Sequence, residues 1–208
     1  MPGPDAYQAE VAARAAADTT GQTYVSPYND PRVVAGQGTI GWELTAQLTD
    51  LGWDRADAVV VAVGGGGLIS GIATWLAATH PDTVIVGASP DNDCAMLRSV
   101  AAGSVAEWPA NPTFSDGTAG GVEPDAVTFD VCRDLVGEWA TVTEAEIATA
   151  VAAMIDDHHQ LVEGAAGVAL AAATTYGYDH PGSRVVAVTC GANVSSQAVA
   201  AMLAAAEA

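Results

Sequence analysis

Apolar residues along the chain change period several times, and the changes mark a succession of elements. Ile40, Leu44, Leu48 and Leu51 recur at helical spacing, and Gly52 closes that segment. Residues 57–63 are instead a segment whose positions after Asp57 are all apolar, centred on Val59-Val60-Val61. A β-branched run without polar alternation predicts a parallel strand buried on both faces. Thr83–Val86, ending near Gly87, and Arg184–Val188 read as two more buried strands. Helices are predicted at Asp5–Thr19, Leu68–Thr79, Cys94–Ala102, Thr128–Val136, Gly164–Thr175 and Ser195–Ala206. A further helix begins at Thr143, three residues before Glu146, as a capping box requires, and Ile147, Val151, Met154 and Ile155 form its apolar face. Thr23–Ser26 and Thr141-Val142 read as short extended pieces, Pro27–Val34 as a turn-rich loop, and Glu107–Pro124 as a long loop.

Strands alternating with helices predict an α/β fold on a largely parallel sheet. Two helix-to-strand joints resemble each other, His80-Pro81-Asp82-Thr83 and His180-Pro181-Gly182-Ser183. Proline ends the helix in each.

Charge narrows the function. The 208 residues carry 25 acidic and 6 basic side chains, a formal net charge of -19. All six basic residues are arginines (Arg14, Arg32, Arg55, Arg98, Arg133 and Arg184), so the chain has no lysine. A nucleic-acid backbone would be repelled, and so would an anionic membrane surface. Such acidity fits a high-salt cytoplasm, where screening tolerates self-repulsion, and fits an acidic coding bias equally well. Cys94, Cys132 and Cys190 are far apart and none forms a CxxC pair, so reduced thiols are expected rather than disulfides or a zinc site. The first residues lack a basic, apolar signal core and no apolar run approaches membrane-spanning length, so a cytoplasmic protein is expected.

The sharpest local motif is Val59 to Gly71: strand, then Gly64-Gly65-Gly66-Gly67, then Leu68-Ile69-Ser70-Gly71. Without Cβ atoms, glycine amides can curl around an anion, and the following helix adds its unpaired N–H groups and positive dipole end. No Gly-Lys-Ser/Thr follows, which excludes a Walker loop, and no acidic residue ends the next strand, which disfavours a dinucleotide site. A tight turn without ligand is the bland alternative. Four successive glycines cost much chain entropy for a turn alone, which favours phosphate binding.

These segments together resemble the fold-type II pyridoxal-phosphate (PLP) enzymes of the threonine dehydratase and serine racemase family. The glycine loop with Leu-Ile-Ser-Gly is similar to that family's cofactor phosphate loop. Asp30-Pro31-Arg32-Val33-Val34-Ala35-Gly36-Gln37-Gly38-Thr39 resembles its DP-x-V-x-AGQGT segment, and Thr113-Phe114-Ser115-Asp116-Gly117 its T-x-A-D-G loop. Val142-Thr143-Glu144-Ala145-Glu146-Ile147, Val162-Glu163-Gly164-Ala165-Ala166-Gly167 and Thr189-Cys190-Gly191-Ala192-Asn193 match three further segments, all in family order.

The resemblance implies a tryptophan synthase β-like large domain, a parallel sheet with helices on both faces, over residues 36–208. Residues 1–35 would be the remnant of an incomplete small domain. Gly64, Gly65, Gly66, Gly67 and Leu68 would hold the phosphate of PLP, and Gly117 would let a loop approach the cofactor. Cys190 would face the pyridine nitrogen, where a neutral partner weakens the electron sink and suits elimination. A buried structural thiol is the other reading of Cys190. Glu163 either braces the site or complements a helix N-terminus. No metal is expected: Ser89 stands where some members place an acidic ligand before the P-x-N turn, and Asp91, Asp93 and Asp116 read as solvated loop acids. Adjacent His158 and His159 read as helix-end residues rather than catalysts.

The family's chemistry needs a Schiff-base lysine, and its S-F-K-x-R-G and S-x-G-N segments have no counterpart here. The chain is therefore expected to be a C-terminal portion lacking the family's N-terminal third, with no catalytic residue of its own. The complete enzyme would be an ammonia-lyase converting threonine or serine into a 2-oxo acid and ammonia, and a homodimer; no regulatory domain is visible after the last helix, so feedback control by a C-terminal domain is not expected. A racemase of the same family, one subunit of a split enzyme, and a non-catalytic PLP-binding or phosphate-binding remnant are the alternatives.

Overall fold

The apolar run at residues 58–62 becomes an inner strand of a four-stranded sheet in the computed structural model, which describes residues 6–207. This strand, β1 (Ala58–Ala62), is buried at every position. It lies between β2 (Val84–Pro90) and β4 (Val185–Ala187), and β3 (Glu138–Val142) flanks β2 on the far side, giving the order β3-β2-β1-β4. All three pairings are parallel, with Val60 opposite both Val86 and Ala187.

Side chains alternate across β1, so its two faces build two cores. Val59, Val61 and Val63 pack with Leu44 and Leu48 of α2 (Pro31–Asp50), Ile69, Ile72 and Leu76 of α3 (Gly67–Thr79), Met96 of α4 (Ala95–Ala102) and Cys132 of α5 (Val127–Leu135). Ala58, Val60 and Ala62 pack on the opposite face with Ile147 of α6 (Glu144–Asp156) and Val168, Ala169 and Ala172 of α7 (Gly164–Asp179). Met202 of α8 (Ser196–Ala206) closes a third cluster with Ala148, Val151 and Ala166. The sheet with helices on both faces is the expected α/β architecture.

Several boundaries differ from the sequence reading. The loop read at Pro27–Val34 stops at Asp30, and α2 starts at Pro31. Asp30 is extended (φ -147°) and its carboxylate accepts the Arg32 N–H at 2.8 Å, while proline at the first helical position has no N–H to lose. The expected division between residues 35 and 36 thus falls within α2. β2 runs to Pro90 rather than ending near Gly87, because Gly87 to Pro90 pair with Trp139 to Val142. β3 is correspondingly longer than Thr141-Val142. β4 is three residues long and half-buried, not a fully buried strand, because β1 is its neighbour on one side only among the described residues. Residues 23–26 carry no strand ladder. The helix α1 (Ala6–Thr20) matches the first expected helix, whose predicted start at Asp5 lies outside the described residues. Among the described residues no helix is long and apolar enough to cross a membrane.

Candidate functional site

The C-terminal end of β1 opens directly into the glycine loop. Val63 keeps one ladder bond, its N–H donating to the Ala88 carbonyl at 2.8 Å, and the strand then ends. Gly66 takes the left-handed conformation (φ 85°) and α3 begins at the next residue. That φ suits glycine and few other residues. Among the described residues, the N–H groups of Gly64 to Leu68 have no hydrogen-bond partner within the protein. Five consecutive amides at a strand-to-helix joint are therefore available to an anion.

Packing is a second reason for the glycines. A Cβ on Gly65 would stand 2.5 Å from the Tyr28 ring, and one on Gly64 would stand 2.9 Å from the Thr118 backbone. The glycine run is legible in the sequence, but this close approach of Tyr28 and Thr118 is not.

The loop forms one wall of a cavity of about 690 Å³. Gly64, Gly65, Gly66, Gly67, Leu68, Gly117 and Cys190 all line it. Gly117 lies in a short 3-10 turn, Asp116–Thr118, which is tied down by a 2.6 Å contact between the Ser115 and Thr118 hydroxyls. Cys190 follows β4 and faces the same space from the other side. Burial raises its thiol pKa, and the nearby Glu163 carboxylate raises it further. The thiol therefore stays protonated and neutral at neutral pH.

Glu163 stands at the start of α7 but makes no capping bond to that helix. Its carboxylate instead accepts the Asn193 N–H at 2.8 Å, and its own N–H donates to the Gly191 carbonyl at 3.0 Å. It also lies 3.2 Å from where a Gly117 Cβ would stand. It thus hydrogen-bonds the segment after Cys190 and lies beside the Gly117 turn.

Glu10, Glu43, Asp116 and Glu163 line the cavity, and among the described residues no lysine, arginine or histidine does so. An anion held here would depend on backbone amides. Asp93 is not a solvated loop acid, as the sequence suggested: it is buried and its carboxylate accepts the Gly120 N–H at 2.8 Å. Burial raises its pKa. Asp91 is exposed, and the exposed His158 and His159 lie beyond the end of α6, away from the cavity.

Sequence reasoning missed three residues that shape the loop. Tyr28 covers Gly65 and accepts the Glu123 N–H on its hydroxyl at 2.9 Å. Thr128 donates to the Gly65 carbonyl at 2.7 Å, and Ser89 to the Val63 carbonyl at 3.1 Å. Tyr28 lies two residues before the matched segment that starts at Asp30, and nothing local marks the two hydroxyls.

A family model for pyridoxal-phosphate dependent enzymes matches residues 3–191. L-threonine ammonia-lyase of Thermotoga maritima is 36% identical over 190 residues, covering 91% of this chain and 45% of that protein. L-threonine ammonia-lyase of Geobacter sulfurreducens is 37% identical over 195 residues, covering 94% and 46%. Among solved structures, the processed form of threonine deaminase isoform 2 from Solanum lycopersicum superposes with a TM-score of 0.88 at 31% identity, covering 97% of this chain and 58% of that one. Maize serine racemase superposes with a TM-score of 0.83 at 27% identity, covering 98% and 62%. The chain spans about half the length of the curated relatives it matches.

Proposed function

The chain belongs to the pyridoxal-phosphate-dependent enzyme family, and from that premise we propose that it is the phosphate-holding portion of an ammonia-lyase acting on threonine or serine. One observation carries the reading: five unpaired amides, Gly64 to Leu68, line a cavity to which no described residue adds a side-chain cation. That donor set fits the phosphate of PLP, because glycine amides supply the positive ends that arginine and lysine would otherwise supply.

In this reading Gly64 to Gly67 and Leu68 hold the phosphate, and Gly117 lets its turn approach the cofactor ring. Cys190 would face the ring nitrogen as a neutral thiol, kept protonated by burial and by Glu163. When bound, PLP supplies the electron sink that makes the α-hydrogen of an amino acid acidic. Glu163 keeps the two walls of the cavity in register through Asn193 and Gly191. The net reaction removes the β-hydroxyl and the amino group of the substrate, giving a 2-oxo acid and ammonia.

The primary amine that this chemistry requires comes from outside these 208 residues, which contain no lysine. We take residues 36–208 as the cofactor-phosphate domain and 1–35 as part of a second domain, with α2 running across that division. The complete protein acts in the cytoplasm as a homodimer. Kinship to the named lyases favours elimination; the likeness to maize serine racemase supports racemisation as the second reading.

Two measurements test this. Titrated with PLP, the chain is expected to bind it without covalent attachment, and borohydride followed by mass spectrometry should find no cofactor on any side chain. Joined to the lysine-bearing segment of a threonine ammonia-lyase, it is expected to release a 2-oxo acid from threonine or serine. A joined protein that folds and binds PLP yet yields only the opposite enantiomer would replace elimination by racemisation. One that alters neither amino acid would overturn both.

A further inference from the structure

Two carbonyls of the glycine loop are held from behind by hydroxyls belonging to other elements. The Gly65 carbonyl accepts the Thr128 hydroxyl of α5 at 2.7 Å, and the Val63 carbonyl accepts the Ser89 hydroxyl of β2 at 3.1 Å. Both Thr128 and Ser89 have zero relative exposure, and neither lines the cavity.

The described backbone has no cis peptide bond. In a trans peptide unit the carbonyl and the following N–H point to opposite sides. A hydroxyl that draws the Gly65 carbonyl toward α5 therefore turns the Gly66 N–H away from α5, to the cavity side. Ser89 does the same one unit earlier: it draws the Val63 carbonyl toward β2 and turns the Gly64 N–H away. A glycine run has no side chains to restrain its peptide planes and samples many orientations when free. Without such pins, ordering the amides would be charged against ligand affinity.

We propose that Thr128 is a positioning residue of the phosphate loop, orienting the Gly65–Gly66 peptide so that its N–H faces the anion, with Ser89 acting likewise on the Val63–Gly64 peptide. The inference rests on the reading that this loop holds the cofactor phosphate. It adds how amides with no side chain of their own acquire a fixed direction. Thr128 lies in the first turn of α5, yet its hydroxyl reaches across 63 residues to Gly65, so it does not serve its own helix.

The test compares two probes on the full 208-residue chain: PLP, and pyridoxal, which lacks the phosphate. Wild type is expected to prefer PLP. Thr128→Val should weaken PLP binding roughly five- to tenfold, the loss of about one hydrogen bond, and leave pyridoxal binding unchanged. Thr128→Ser, which keeps the hydroxyl, should restore the preference. A merely structural threonine would lower thermal stability while leaving the ratio of the two affinities intact, and that result overturns the proposal. If wild type binds both probes equally, the phosphate reading fails and takes the proposal with it; a wild-type preference that survives in Thr128→Val sinks the proposal alone. Should Thr128→Val not fold, amide NMR of wild type decides. On addition of inorganic phosphate the Gly64 and Gly66 N–H resonances are expected to move. Movement of Gly65, Gly67 and Leu68 without those two contradicts it.

Discussion

Cys132 sits behind the glycine loop, its sulfur 3.0 Å from where a Gly66 Cβ would stand. It is fully buried, and its neighbour is the Ser70 hydroxyl at 3.8 Å. Burial pushes its thiol pKa up to about 12. The folded value lies above the unfolded one, about 8.5. The stability this contributes is present in full below the unfolded value and is lost as pH rises toward the folded value, because the unfolded chain ionises first. The expected outcome is a melting temperature that falls between about pH 8.5 and 12, less steeply in Cys132→Ala than in wild type. Parallel slopes for the two proteins would show that Cys132 is not the titrating group. Tyr28, whose hydroxyl pKa burial also raises, accounts for part of the residual slope.

The contact between α2 and α3 is made backbone to backbone. A Cβ on Gly71 would collide with the Val34 carbonyl oxygen and stand 2.6 Å from the Gly38 nitrogen. Gly36, on the same α2, has nothing within 4 Å of its Cβ position. Two alanine substitutions should therefore have opposite signs. Gly71→Ala is expected to cost roughly 1–3 kcal/mol or more by forcing the helices apart. Gly36→Ala should stabilise by up to about 1 kcal/mol through helix propensity. Urea denaturation of both measures this, and equal effects would mean that the helix crossing is not set by Gly71. At this scale much was legible. The capping box at Thr143 forms as read, with Glu146 returning to the Thr143 N–H at 2.7 Å. The start of α2 was also written locally, in Asp30-Pro31, but the turn residues around it masked the cap. The extra length of β2 was not legible, since Gly87 to Pro90 are strand only because β3 lies beside them.

Across the whole molecule the acidic excess is largely unneutralised. Arg14, Arg32, Arg55 and Arg133 pair with Glu123, Asp30, Asp57, and Asp130 and Asp134 respectively. Against 25 acidic residues those pairs leave a strong net negative charge, and four of the carboxylates line one cavity. Salt screens such repulsion, with a Debye length of about 10 Å at 0.1 M and about 3 Å at 1 M. Thermal stability is expected to rise with sodium chloride from about 0.1 M to about 1 M. A flat or falling melting temperature over that range would mean that self-repulsion does not limit the fold.

Neighbouring residues alone determined the buried central strand, the helices around it, the glycine loop with its available amides, and the lack of any lysine. Each is a matter of composition or of spacing within a few positions. Tertiary structure alone decided that β4 lies at the sheet's end, that Tyr28 covers Gly65, and that Thr128 and Ser89 aim the loop's amides. Thr128 and Gly65 are 63 residues apart, and Ser89 and Val63 are 26 apart. A contact that distant leaves no period in the chain, because it exists only once the sheet and its helices have brought the two ends together.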